Sequence, residues 1–246
     1  MDSLKEWLKQ NSRLYRALRE RHQRLKRRLW ESRSNAHKFS KIHRKRRWGD
    51  PESTSGAGSR LDQTQALRAQ LSALIRGFEI TSLLDVPCGD FNWMKEVDLH
   101  GVKYIGADIV PALIEDNSRR YARENVAFRV LNLASDHLPR CDLVFVRDCL
   151  VHLSNHDAMR CIANIKASGS RYLLATTFPE VGENVDTIAP NWRATNLEKP
   201  PFDFPPPRAS LDEGTRTPLG NKSARKMMGL WVIEDLSDGA PARGSL

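Results

Sequence analysis

Two acids stand 23 positions apart at the ends of apolar runs: Asp85 in Leu83-Leu84-Asp85-Val86-Pro87-Cys88-Gly89-Asp90-Phe91, and Asp108 in Tyr104-Ile105-Gly106-Ala107-Asp108-Ile109. A spacing of roughly 20 between a glycine turn and a carboxylate suits ribose recognition, because a diol offers two donors and a carboxylate two acceptor oxygens. Gly89 lets the backbone approach such a ligand closely. A third apolar run ends in Arg147-Asp148 and leads to Val151-His152-Leu153. His152, as a neutral imidazole, is the best general base among these residues, and Asp148 is a weak one unless burial raises its pKa. An equally open reading makes His152 a satisfied core histidine.

Positioning these groups requires strands that end together. Short apolar runs alternate with helical periodicity from residue 61 onward, the pattern of a parallel sheet with crossover helices. Strands are predicted over 81–86, 103–108, 126–133, 142–147 and 172–177, with a closing strand over 228–236. Helices are predicted over 61–78, 111–124 and 155–167, with Pro111 in a first turn and Ser154 as a cap. The expected fold is α/β, a doubly wound Rossmann-like sheet whose ligands sit at the carboxyl ends of the strands.

On these residues the chain resembles the class I S-adenosylmethionine-dependent methyltransferases, over about residues 82–177. The 83–91 run is similar to that family's motif I, Asp108 to its ribose-binding acid, and Leu131-Asn132-Leu133 and Cys141 to Asp148 to its later motifs. The resemblance implies S-adenosyl-L-methionine as cofactor. Asp85, Pro87, Cys88, Gly89, Asp90 and Phe91 would hold its methionine part, Cys88 through backbone only. Asp108 and Ile109 would hold the ribose, Asn132 and Leu133 the adenine, and Arg147 and Asp148 would face the reacting methyl. Only the middle glycine of the family's usual turn is present, and Pro87 has no N–H to donate. Phe91 shows that the turn need not approach a pyrophosphate, which favours this cofactor over a dinucleotide.

Charge divides the chain. Residues 1–47 hold 17 Lys/Arg and four acids, a net +13, whereas the whole chain carries +9, so the remainder is mildly acidic. Leu4, Trp7, Leu8, Leu14, Tyr15, Leu18, Leu25 and Leu29 recur at helical spacing among these bases, predicting a basic amphipathic helical arm over 1–47. Such an arm can lie on anionic lipid, grip phosphates, or dock its apolar stripe on the body or on a partner protein, the simplest case being a solvated helix packed by one face. Residues 48–60 are rich in Gly and Ser and read as a linker or functional loop. The methyltransferase domain is expected over 61–246, with a cofactor half at 61–177 and an acceptor-shaping half at 178–246, of which 239–246 reads as a frayed tail.

In that second half Trp192 can stack on a sugar face while Arg193 and Asn196 hydrogen-bond it, with Trp93 as a further substrate residue; an equally open reading makes this stretch a packed surface loop stiffened by prolines. With 40% hydrophobic residues and six Trp, wholesale disorder is excluded. Four cysteines without a C-x-x-C pair suggest a reducing compartment and no structural zinc, and no metal-ligating residues stand out in the sequence. No 18-residue apolar run or secretory h-region is present, which suggests a cytoplasmic protein, with a peripheral place at the inner face of the membrane open to it. The P-loop, H-E-x-x-H and nucleophile-elbow patterns are missing. The 48–53 loop, the stretch from Trp192 to Leu197 and Gly229-Leu230-Trp231 together resemble a bacterial methyltransferase subgroup associated with surface glycans, and the expected activity is methylation of a hydroxyl on a saccharide or lipid-linked glycan. The alternatives are an RNA methyltransferase that uses the arm for phosphates and a non-catalytic module that binds S-adenosylmethionine or a nucleotide.

Overall fold

A computed structural model describes residues 12–219 and 222–237. Two helices come first, α1 (Ser12–Glu31) and α2 (Asn35–Arg44). The single helical arm expected here is broken at Ser34, whose hydroxyl accepts the His37 N–H and so caps α2. The expected apolar positions Leu4, Trp7 and Leu8, and the tail 239–246, lie outside the described residues. The order then runs α3 (Gln65–Gly77), β1 (Ser82–Asp85), β2 (Lys103–Asp108), α4 (Pro111–Tyr121) and β3 (Val126–Val130). It continues with β4 (Leu143–Val146), α5 (Asn155–Ala167), β5 (Tyr172–Thr177), β6 (Ala209–Leu219) and β7 (Lys222–Val232).

These strands form one seven-stranded sheet in the order β3-β2-β1-β4-β5-β7-β6. β1 to β5 pair in parallel, while β7 runs antiparallel to β5 and β6 antiparallel to β7. The order reverses between β1 and β4, so the crevice at the carboxyl ends of those two strands is where such a sheet takes ligands.

Side-chain alternation splits the core in two. Leu84, Val144, Val146 and Leu173 point to the face covered by Ala158, Cys161, Ile162 and Ile165 of α5. Leu83, Leu143, Phe145 and Leu174 point to the face covered by Leu67, Leu71, Leu74 and Ile75 of α3. Burial on both faces explains why β4 and β5 read as unbroken apolar runs.

The structure corrects several predicted boundaries. The strands expected over 126–133 and 142–147 stop at Val130 and Val146, where the chain turns toward the crevice. The closing strand begins earlier, at Lys222, and residues 233–236 leave it through a 3₁₀ turn. β6 was not expected at all. It lies at the sheet edge, where its Pro218 needs no donor on the open side, and its charged residues gave it no apolar signature.

One glycine in β7 is required by packing. A Cβ at Gly229 would lie 2.2 Å from the Trp231 ring, which is buried, donates Nε1–H to the Pro205 carbonyl at 2.7 Å and meets Phe204 edge to face. Trp231 cannot step aside, so Gly229→Ala is expected to cost about 1–3 kcal/mol by overpacking. Urea unfolding of the variant checks this through a lowered midpoint at unchanged slope.

Candidate active site

The carboxyl ends of β1, β2 and β4 open into a cavity of about 510 Å³. Its wall holds Asp85, Pro87, Cys88, Gly89, Asp108, Ile109, Asn132, Leu133, Arg147, Asp148 and His152, together with Trp93 and Trp192. Thirteen of the seventeen residues singled out from the sequence are thus gathered in one place.

Asp108 ends β2 and is 5% exposed. Its Oδ2 accepts the Gly89 N–H at 3.2 Å and its Oδ1 the Val110 N–H at 2.9 Å. Each oxygen keeps a second lone pair, so the carboxylate can still receive two hydroxyl donors, the number a ribose diol supplies. Burial pushes its pKa up to about 6, against the pull of those backbone N–H groups. Asp85, buried deeper, is pushed up to about 8 by desolvation and by the charge of Asp108, while the Tyr104 hydroxyl at 2.6 Å opposes the shift. Burial thus favours the protonated form more strongly at Asp85 than at Asp108.

Gly89 sits at φ +55°, and a Cβ there would meet Ser55 Oγ at 2.4 Å. That contact reveals how residues 48–60 are placed. Asp90 accepts from the hydroxyls of Ser53 and Ser55 and from the Thr54 N–H at 2.7 Å, which staples the loop over the Gly89 turn. Asp90 is therefore spent on the loop and does not line the cavity. Phe91 does not reach it either, because its ring is buried among Tyr104, Tyr121 and Phe128 at 5.1–5.3 Å. On the adenine side, Asn132 Oδ1 accepts the Ala134 N–H at 3.0 Å and retains one lone pair, with Leu131 and Leu133 as apolar wall.

At the end of β4 lies a cluster of four charges. Arg147 Nη2 donates to Glu213 at 2.6 Å, its Nε lies 3.2 Å from the same carboxylate, and its Nη2 also meets the Gly58 carbonyl at 2.9 Å. Lys226 Nζ bridges Asp148 and Glu213. Burial alone would raise the Asp148 carboxyl, but the Lys226 ammonium and the Arg147 guanidinium outweigh it and hold the pKa at about 2. Asp148 therefore does not have the raised pKa that a carboxylate base at this position would need. Arg147 covers the ring of Trp93, and that indole is 6% exposed, so it packs and offers no open face to a substrate.

His152 follows in a 3₁₀ turn, Leu150–His152. Its Nδ1 lies 3.1 Å from the Pro190 carbonyl, which can only accept, so in the neutral ring Nδ1 carries the proton and Nε2 the lone pair. Burial lowers its pKa below 6.5, against the opposing charge of Asp148. The ring lies on the Trp48 indole, centroids 4.8 Å apart, and Trp48 in turn meets Phe39 of α2 at 5.7 Å.

Arg193 and Asn196 are not available to an acceptor. Arg193 donates to the carbonyls of Val185 and Leu153 at 3.1 and 3.0 Å, and Asn196 Nδ2 to those of Pro179 and Val181. Both are buried and brace the loop after β5, leaving Trp192, 39% exposed, at the cavity rim. Sequence reasoning missed Phe39, Phe178, Thr217 and Lys226, which also line the cavity, and Glu213 behind it. Composition marks residues 48–60 as a loop, but nothing local in the sequence reveals its place over the Gly89 turn.

An open sheet in this order, with a strand-end carboxylate facing a crevice at its switch point, defines a Rossmann-like α/β protein. More narrowly, the chain has the class I S-adenosylmethionine-dependent methyltransferase fold. The magnesium protoporphyrin IX methyltransferase of Synechocystis PCC 6803, crystallised with S-adenosylhomocysteine, is similar at TM-score 0.51 and 16% identity, over 78% of this chain and 94% of that one. The same enzyme with S-adenosylmethionine gives TM-score 0.51 and 13% identity, over 81% and 98%. The methyltransferase domain of a bacterial Hen1 protein gives TM-score 0.50 and 12% identity, over 70% and 100%. No family model and no curated protein matches the chain.

Proposed function

We propose that this protein is a methyltransferase that uses S-adenosyl-L-methionine to methylate a hydroxyl of a saccharide or lipid-linked glycan. The observation that carries the reading is that one cavity holds both a buried carboxylate with two free acceptor positions, Asp108, and a neutral imidazole with its basic nitrogen unprotonated, His152. Asp108 would hold the ribose, Asn132 and Leu133 the adenine, and the Asp85 to Gly89 turn the methionine part. The bound cofactor supplies a methyl group activated on a sulfonium.

The chain's own residues do the rest. Transfer to a hydroxyl needs the acceptor oxygen held in line and relieved of its proton. His152 Nε2 takes that proton, and the ionised Asp148 stabilises the imidazolium that results. Lys226 and Arg147 keep Asp148 ionised and fixed. The exposed Trp192 face supports a saccharide ring, with Arg193 and Asn196 acting behind it as braces. The protein is proposed to work in the cytoplasm, with its basic arm turned toward an anionic membrane or a partner enzyme.

Incubation with methyl-labelled S-adenosylmethionine and separate pools of nucleotide sugars, extracted glycolipids and RNA tests the reading. Label is expected in an alkali-stable ether on a sugar or glycolipid. Label confined to RNA would replace the acceptor class, and cofactor binding without transfer to any pool would favour a non-catalytic module.

A further inference from the structure

Among the described residues, large apolar side chains left exposed fall, Val130 apart, into two segments: Leu18, Leu25 and Leu29 on α1, and Val185, Ile188 and Trp192 after β5. On α1 the leucines are seven and four residues apart, so at about 100° per residue they stand within an arc of about 40° on a single stripe. The body leaves this stripe uncovered, with Leu25 55% and Leu29 54% exposed. α1 also holds eight Lys/Arg against two acids, a net +6.

Both segments are tied to the start of α5. Asn35, the first residue of α2, donates to Asp157 Oδ2 at 3.0 Å, and two residues earlier the Asn155 N–H donates to Asp186 Oδ1 at 2.7 Å. α1 is held against α2 by Lys38 Nζ on the Glu31 carbonyl at 3.1 Å and by the Trp30 and His37 rings. The turn that follows α1 and the 185–192 loop are therefore both anchored at the start of α5, and the loop ends at Trp192 on the cavity rim.

We propose that α1 and the 185–192 loop form one docking surface for an anionic lipid bilayer, which sets the mouth of the cavity against the membrane. Arginines alone would serve for a polyphosphate strand, but that partner leaves the leucine stripe in water. A bilayer takes the stripe into its acyl boundary and the flanking bases at its headgroups. No described helix is long and apolar enough to cross a membrane. The surface rests on the proposed function only for the lipid-linked acceptor it would deliver; attachment itself does not need methyl transfer.

The test is co-sedimentation of the full chain with vesicles of phosphatidylcholine alone or with about a third phosphatidylglycerol, with calorimetry against S-adenosylmethionine on the same samples. Binding is expected to the anionic vesicles, and to fall about tenfold or more in the variant Leu18→Ser, Leu25→Ser, Leu29→Ser, which keeps every charge. Val185→Ser with Ile188→Ser is expected to weaken it further at unchanged cofactor affinity. Failure of the folded chain to sediment with anionic vesicles overturns the surface. So does binding that the serine variants leave intact and that a short RNA displaces. A chain that binds vesicles but not S-adenosylmethionine keeps the surface and loses the methyltransferase reading. The reverse pattern keeps the methyltransferase and removes the surface.

Discussion

Asp108→Ala is expected to weaken binding of S-adenosylmethionine by about 10²- to 10⁴-fold. Two hydroxyl hydrogen bonds to a charged acceptor, at about 1.5–3 kcal/mol each, set that range. The loss should not come from unfolding, since the substitution also removes a carboxylate whose ionisation burial already disfavours. Asp108→Asn keeps the shape and one acceptor oxygen and should lose less. The two variants also separate a pH effect. The Asp108 pKa is raised to about 6, so as a stability contribution it is present below the ordinary carboxylate range and lost as pH rises through about 6. A ligand that needs the carboxylate has the opposite dependence: affinity of the unaltered protein should fall as pH drops through about 6, approaching about tenfold per unit, with proton uptake by the free protein. In Asp108→Asn that dependence should vanish. Calorimetry between pH 5 and 8 decides the matter, and equal affinity in Asp108→Ala would remove the ribose site from this end of β2.

That prediction was legible in the sequence because a strand end, a glycine and an acid at a fixed interval are local features. The same holds for β2, β5 and α5, whose limits agree residue for residue with their periodicity. What was not legible depends on partners distant in the chain. Lys226 and Glu213 sit in strands that read as polar, and only the pairing of β6 with β7 beside β5 turns them inward as one buried charge cluster. Arg193 and Asn196 have the chemistry to hold a sugar, yet nothing in their spacing reveals that backbone carbonyls take their donors. Residues 48–60 have the composition of a linker, and it is the distant Asp90 that makes them a wall of the site. The structure also spends two motif residues differently from what the resemblance implied: Asp90 secures a loop and Phe91 fills a core.

His152→Ala is expected to lower kcat by about 10²- to 10⁴-fold, the usual share of a general base, with cofactor affinity unchanged. The pH profile makes this more than a test of importance. His152 must be neutral to accept a proton, and burial lowers its pKa. A depressed pKa contributes stability that is present above 6.5 and lost as pH falls through the folded value; activity should share that sign and keep its acid limb below 6.5. Several influences meet at the ring: burial, to which the Trp48 indole contributes, and Lys226 disfavour its charged form, while Asp148 and the Pro190 and Asn191 backbone favour it. Trp48→Ala opens one side to water and leaves the other groups in place, so the acid limb should move up toward 6.5 while kcat on the plateau changes less than in His152→Ala. The His152 ring proton, followed by NMR, should titrate with the same shift. If Trp48→Ala lowers the plateau and leaves the limb where it was, the indole shapes the acceptor pocket and the proton goes elsewhere. Asp148, held ionised at about 2 by Lys226 and Arg147, would then have to act as a carboxylate far weaker than the reaction calls for, and the hydroxyl acceptor itself would be the part of the reading to give up.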